Sequence, residues 1–373
     1  MDKYILLISI IMVSFKYFLD NRKDNYNIFY NDSIFTNIRK NTFQEKNIKN
    51  TLIADSVKKK YPIIFFPDLG TCNLMENEKL LWPPSVDNKE QIYKWLDKIK
   101  IKYDTRNNRI YKDNIVPVTD LKNNSVYSNF YKNLKEAGYK KNNDLFIVNY
   151  DFRKIAYTIE DTFKELNKLI KFKCIIIGHG LGTLLANLFL IRQSDFWKKK
   201  YIHDAHYISP CLAGYEKSMS ILISGENLNK VERPFFRTII RNYSGLLLCL
   251  PNPDVYKEKI INDYTASDIY TLLSDTGAID SAEFYNNICL PLQKEAFDDP
   301  GVKVTCYSGQ NIPTETKYTY KYELLDESSK KQYILGDGIC TDTFIPKEWD
   351  IRYYKNYDYY NILNNPYLLS YIL

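Results

Sequence analysis

Residues 174–190 read Cys174-Ile175-Ile176-Ile177-Gly178-His179-Gly180-Leu181-Gly182-Thr183-Leu184-Leu185-Ala186-Asn187-Leu188-Phe189-Leu190. The three consecutive isoleucines predict a buried strand, the alternating glycines a tight turn, and the leucine-rich run a buried helix. Strand, sharp turn and helix together outline a nucleophile elbow, G-x-S-x-G. Its flanking glycines allow close packing, and its middle residue carries the attacking hydroxyl. Here the middle residue is Gly180, so the scaffold is present without the nucleophile. A dinucleotide loop, G-x-G-x-x-G, does not fit. Thr183 stands where the third glycine belongs, and no acidic residue follows a second βα unit at the required distance.

Outward from the elbow, the chain alternates strand and helix. Tyr61-Pro62-Ile63-Ile64-Phe65-Phe66-Pro67 is a short apolar run between prolines and predicts a buried strand ending in the turn Asp68-Leu69-Gly70. Phe130, Leu134 and Ala137 fall at helical spacing and stop at Gly138. Leu145-Phe146-Ile147-Val148 predicts a second strand, and Ile155, Ile159, Phe163, Leu166 and Ile170 share one face of a helix leading into the elbow strand. Ala205 to Ser209 reads as the next strand. This order predicts an α/β fold with a mostly parallel sheet covered on both faces.

From about 215 to 300 the regularity fades, and segments such as Leu246 to Leu250 and Ile269 to Leu273 read as a cap or lid insertion. Val302 to Tyr307 and Tyr333 to Leu335 return to strand character, the second ending at Gly336-Asp337-Gly338. Asn364 to Leu373 reads as a short apolar helix. An excursion from the sheet is expected at about 78–105, where Trp82 and Trp95 sit among prolines and lysines.

Tyr4 to Phe15 is apolar apart from Ser9 and Ser14, the length of a signal-peptide core. Tyr17-Phe18-Leu19 extends it toward an uncleaved anchor. Residues 1–19 are therefore read as signal peptide or signal anchor, 20–60 as a polar, poorly ordered connector, and 61–373 as the folded domain. Either reading sends the chain into the secretory pathway, secreted or anchored by this segment. Asn31-Asp32-Ser33, Asn123-Asn124-Ser125 and Asn242-Tyr243-Ser244 are then candidate glycosylation triplets.

The formal charge of +6, from 51 basic and 45 acidic residues, is diffuse. It suits an anionic membrane surface and gives no argument for nucleic acid. Seven cysteines include no CxxC pair and no Cys/His cluster, so no zinc or other metal is expected, and no cofactor. Only three histidines exist: His179, His203 and His206.

Several further runs carry a family resemblance. Pro67-Asp68-Leu69-Gly70 resembles an oxyanion-loop P-G-L-G, and Gly138-Tyr139 with Tyr150-Asp151-Phe152-Arg153 resembles G-Y…Y-D-W-R. Gly178 to Gly182 stands in for G-H-S-L-G. Trp197-Lys198…Tyr201-Ile202 and Ser224-Gly225-Glu226-Asn227 resemble W-K-x-x-F-I and S-G-D-N. Pro300-Gly301-Val302-Lys303-Val304-Thr305-Cys306 and Gly336-Asp337-Gly338 resemble P-G-V-x-V-x-C and G-D-G-T-V. In this order the set resembles the lecithin:cholesterol acyltransferase family, which includes lysosomal phospholipase A2, over residues 61–373.

The resemblance implies an α/β-hydrolase with a cap and a small membrane-contacting subdomain, placed around Trp82 and Trp95, with the lid after Asn227. It implies acyl transfer from phospholipid through a serine, so the expected partner is a phospholipid or acyl-lipid membrane surface. The identity of any protein partner is left open. It also aligns Cys306 with a disulfide cysteine, for which Cys340 is the candidate mate.

Such chemistry needs a hydroxyl nucleophile, a histidine base and an orienting carboxylate. The family order places them at Gly180, Asp337 and Tyr359, so only the acid, Asp337, is retained. Asp342 is the less favoured substitute, and the alternative reading of Asp337 is a loop aspartate capping a turn. Tyrosine, whose hydroxyl ordinarily titrates at about 10, is a poor base at neutral pH. His179 is not the base in the resembling motif, and Thr183 and Cys211 are the candidates for a relocated nucleophile. Backbone N–H groups of Leu69 and Leu181 would form the oxyanion hole, expected to survive as a lipid-binding pocket. The alternatives to a lipid-binding pseudoenzyme are an active phospholipase or O-acyltransferase with a rearranged site and a structural or partner-binding secreted protein without lipid.

Overall fold

The computed structural model describes residues 60–84, 89–101, 103–104, 109–111, 113–225, 233–321, 328, 330–341, 345–346 and 348–373. The signal segment, nearly all of the connector, the Asn31 triplet, Glu226-Asn227 at the lid's start and Asp342 fall outside these ranges.

Six parallel strands form the central sheet: β1 (Ile63–Phe66), β2 (Leu145–Ile147), β3 (Cys174–His179), β4 (Ile202–Ile208), β5 (Val304–Gln310) and β6 (Asp350–Lys355). Their spatial order is β6-β5-β4-β3-β1-β2. β1 pairs with β2 on one side (Ile63 with Leu145) and with β3 on the other (Ile63 with Ile175). Strand order therefore reverses at β1, and ligand chemistry in open parallel sheets sits beyond the carboxyl ends of strands at such a point.

Side chains alternate between two cores, as a strand's period of two requires. Ile64, Phe66 and Ile176 face one cluster, which also contains Ile159 and Phe163 of α2 (Ile155–Leu169) and the apolar side of α3 (Leu181–Ile191). Ile63, Phe65, Ile175 and Ile177 face the other, with Phe130 and Leu134 of α1 (Ser128–Glu136) and Leu368 and Ile372 of the C-terminal helix. The sheet is covered on both sides. This is the α/β-hydrolase core expected from the alternating pattern.

The strands that depart from the expected pattern include the sheet edge and the segment around Tyr333. β6 is Asp-Ile-Arg-Tyr-Tyr-Lys at the sheet edge, half exposed, so it carries no apolar run. Tyr333 to Leu335 lies in the strand 330–336, which pairs antiparallel with 312–319 in a separate four-stranded sheet and leaves all three side chains exposed. Leu246-Leu247-Leu248 belongs to the short helix 244–248, packed between cap and core.

Strands 73–76, 79–82 and 115–118 form a small antiparallel sheet beside the helix 89–99. Trp82 and Trp95, expected at the membrane, are instead interior. They are 5% and 7% exposed, their rings stack at 6.2 Å, and their indole N–H groups donate to Gly70 O and Leu81 O. Each buried indole has found the partner its N–H needs. Among the described residues, the large apolar side chains this region exposes are Leu80, Tyr93, Tyr111, Val116 and Val118.

The Tyr150-Asp151-Phe152-Arg153 run has a structural role. Arg153 is fully buried, donates from Nε to Asp151 and from its terminal nitrogens to Asp151, Asp113 and Ile99 O. Ser244 N–H and Gly245 N–H return to the carbonyls of Arg153 and Phe152. The guanidinium thus ties the excursion to the Asp151 loop, with its charge paired as burial demands, and the backbone of the same loop holds the cap-side helix.

Candidate functional site

The turn between β3 and α3 keeps an elbow's backbone. Gly180 has φ +56° and ψ −124°. Gly182 comes so near β1 that a Cβ there would lie 2.1 Å from Phe66 O, which only glycine tolerates. Thr183 closes the turn from inside, donating through N–H and Oγ1 to Gly180 O and accepting from Cys211 N–H. Its hydroxyl caps the elbow and is not placed as a nucleophile.

Side chains fill the space a nucleophile would use. A Cβ on residue 180 would sit 1.9 Å from Tyr359 Oη and 2.1 Å from Asp68 Oδ1. Leu181 N–H donates to Asp68 Oδ1 at 2.8 Å, and Leu69 N–H and the Tyr359 hydroxyl bond the same carboxylate. The two N–H groups expected to form the oxyanion hole are therefore engaged by the chain's own carboxylate, which stands where an oxyanion would. The expectation of an open oxyanion pocket is corrected: its donors are present, and Asp68 fills it. Burial pushes the Asp68 carboxyl up to about 6 in spite of these bonds. The sequence signal was available in Pro67-Asp68-Leu69-Gly70, where an acidic residue follows the proline directly.

His179 joins the loops around this carboxylate. Asp68 N–H donates to Tyr127 Oη at 2.8 Å, and Tyr127 Oη lies 2.9 Å from His179 Nδ1. With that N–H supplied, the tyrosine hydroxyl donates to Nδ1, and Nε2–H donates to Tyr359 O at 3.1 Å. Ser209 Oγ donates to the same carbonyl. Burial pushes His179 down to about 4, so a neutral ring with both nitrogens committed holds the geometry.

The three triad positions converge, without triad chemistry. Tyr359 N–H donates to Asp337 O at 2.9 Å, placing both loops beside Gly180. Asp337 Oδ1 accepts from Ile339 N–H and Cys340 N–H, the arrangement of a turn cap. Burial and the neighbouring Asp68 charge push the Tyr359 hydroxyl well above its ordinary range, which makes it a still weaker base. Burial likewise pushes the Cys211 thiol well up, away from a reactive thiolate. All seven cysteines are free, so Cys306 and Cys340 are not bridged. Among the described residues no group of three His, Cys, Asp or Glu side chains is arranged to hold a metal.

Comparison with known proteins agrees with the motifs. The family described as lecithin:cholesterol acyltransferase matches residues 116–257. Lysosomal phospholipase A and acyltransferase of Mus musculus is 25% identical over 294 residues, covering 70% of this chain and 69% of that protein. Phosphatidylcholine-sterol acyltransferase of Mus musculus is 24% identical over 258 residues, covering 61% and 58%. Lecithin-cholesterol acyltransferase-like 1 of Oryza sativa subsp. japonica is 24% identical over 232 residues, covering 56% and 52%. The chain thus spans between 52% and 69% of the length of these relatives. Strand order and an elbow backbone at 178–182 give the chain an α/β-hydrolase fold, and these matches make it similar to the lecithin:cholesterol acyltransferase family, most directly over residues 116–257.

Proposed function

We propose that this chain is a catalytically inactive member of this family that binds phospholipid or fatty acyl ligands at a membrane surface. One observation carries the reading. The position of the attacking side chain is Gly180, and the space in front of it is filled by Asp68 and Tyr359. In a serine hydrolase whose triad has been dissected, loss of the serine alone costs about 10⁶-fold in rate, or about 8 kcal/mol. Here no histidine lies after His206 to serve as base, and a carboxylate takes the oxyanion donors. An acyl oxygen approaching Leu69 and Leu181 N–H would have to displace it.

The basic excess suits an anionic lipid surface, and entry to the secretory pathway is part of the same proposal. Among the described residues no helix is long and apolar enough to cross a membrane. The test is incubation with vesicles of labelled phosphatidylcholine and anionic phospholipid at pH 4.5 and 7.5, reading fatty-acid release and cosedimentation. Cosedimentation without release is expected. Release above the vesicle blank would overturn the inactive reading in favour of a rearranged active site, and neither signal would remove lipid from the account.

A further inference from the structure

Three buried thiols from distant parts of the chain meet beside the filled pocket. Cys211 follows β4, Cys249 ends the cap-side helix 244–248, and Cys340 lies three residues after Asp337. They are 1%, 1% and 6% exposed. The Cys211 thiol interacts directly with the thiols of Cys249 and Cys340.

The backbone holds each of them in place. Gly214 N–H donates to Cys211 O, and Gly214 is pressed so close to the cap that a Cβ there would meet Cys249 O at 2.6 Å. Tyr215 N–H and Ser218 Oγ both donate to Cys249 O. On the other side, Cys340 N–H donates to Asp337 Oδ1 at 2.7 Å, and Asp337 O accepts from Tyr359 N–H. Ser209, two residues before Cys211, reaches the Tyr359 carbonyl. The Cys72 and Cys174 thiols are engaged elsewhere, with Thr119 and with Tyr201 O.

We propose that Cys211, Cys249 and Cys340 form a thiol–disulfide site in which Cys211 bridges to one of its two neighbours at a time. The oxidant is a low-molecular-weight disulfide, RSSR. One cysteine thiolate attacks it, expelling RS⁻ and forming a mixed disulfide, and the second cysteine thiolate displaces the remaining RS⁻. The two protons lost by the protein thiols end on two RSH molecules. The third cysteine can then attack the bridge at Cys211, moving it without further redox change. A bridge to Cys340 ties the Asp337 loop to the segment after β4, and a bridge to Cys249 ties the cap-side helix to that segment instead. Burial of all three means that oxidation takes place as the chain folds or opens.

The test is peptide mapping under non-reducing conditions after alkylation. The full chain, both natively purified and refolded, is equilibrated across a series of oxidised-to-reduced glutathione ratios. Expected is a single bridge containing Cys211, to Cys249 or Cys340, with the third cysteine alkylated. Cys249→Ala should leave only the 211–340 bridge and Cys340→Ala only the 211–249 bridge. The wild-type map decides alone if either variant fails to fold. Recovery of Cys211 as a fully alkylated thiol at every ratio, in a chain whose circular dichroism is native, would overturn the proposal. So would a map containing only a Cys306–Cys340 bridge.

Discussion

The two ends of the central sheet hold similar residue types and differ in what surrounds them. At the carboxyl ends, Asp68, His179, Tyr359 and Gly180 are buried together, and each polar group is committed to a partner. Toward the amino ends, the other two histidines flank another aspartate. His203 Nδ1 and His206 Nε2 lie 3.1 and 3.3 Å from Asp204 Oδ1, and His206 Nδ1 lies 2.9 Å from Tyr307 Oη. Read as composition, imidazole next to carboxylate is a triad fragment. It stands away from the elbow, on the side of the fold that carries no chemistry. Position is set by the backbone and function by the side chain that arrives there, and in this chain the two have parted.

The largest effect expected from breaking this contrast is at Gly180. Gly180→Ala places a Cβ against Tyr359 Oη and Asp68 Oδ1 at a positive φ. It should cost about 3 kcal/mol or more of stability in urea unfolding. The same substitution in an Asp68→Ala background should cost measurably less, because the two side chains compete for one space. An equal cost in both backgrounds would mean that Asp68 does not fill the pocket.

The next effect is a pH signature with two opposing parts. Asp68 is raised from 3.8 to about 6, so its contribution is present in full below pH 3.8 and is lost as pH rises through 6. His179 is lowered from 6.5 to about 4, so its contribution is present in full above pH 6.5 and is lost as pH falls through 4. Each shift is worth about 3 kcal/mol, at roughly 1.4 kcal/mol per pH unit. In the wild type they largely cancel between pH 4 and 6. Asp68→Asn should therefore expose stability that rises with pH in this window, and His179→Gln stability that falls. Unfolding midpoints measured from pH 4 to 7 would show it, and two single mutants with the same slope would refute it.

The smallest effect belongs to the other end of the sheet. His203 is 41% exposed and its ring lies 4.3 Å from that of Tyr61, tilted by 37°. His203→Ala should change stability by about 0.5 kcal/mol or less by thermal melting. A loss comparable to that at His179 would erase the contrast between the two ends.

Much of the core was legible because burial writes itself into residue type. Ile63–Phe66, Leu145–Ile147 and Cys174–His179 are apolar runs since parallel strands are covered on both faces. β6 was not legible, because an edge strand needs apolar residues on neither face for its whole length. The tryptophans were misplaced for a related reason. Flanking lysines and prolines describe the loop, while the indole rings turn inward to Gly70 O and Leu81 O. At the site, the missing serine and histidine could be read residue by residue. That Asp68 would turn its carboxylate onto Leu69 and Leu181 N–H could not, because it depends on how β1 and β3 bring two loops together.

The most direct test of the account is covalent labelling by a fluorophosphonate, read by intact mass. The probe needs an activated nucleophile and an oxyanion hole open to its phosphoryl oxygen. With glycine at position 180 and Asp68 holding the donors, the mass of the wild-type chain should not change from pH 4.5 to 7.5. A stoichiometric adduct on any residue of the elbow or its neighbours would contradict the account.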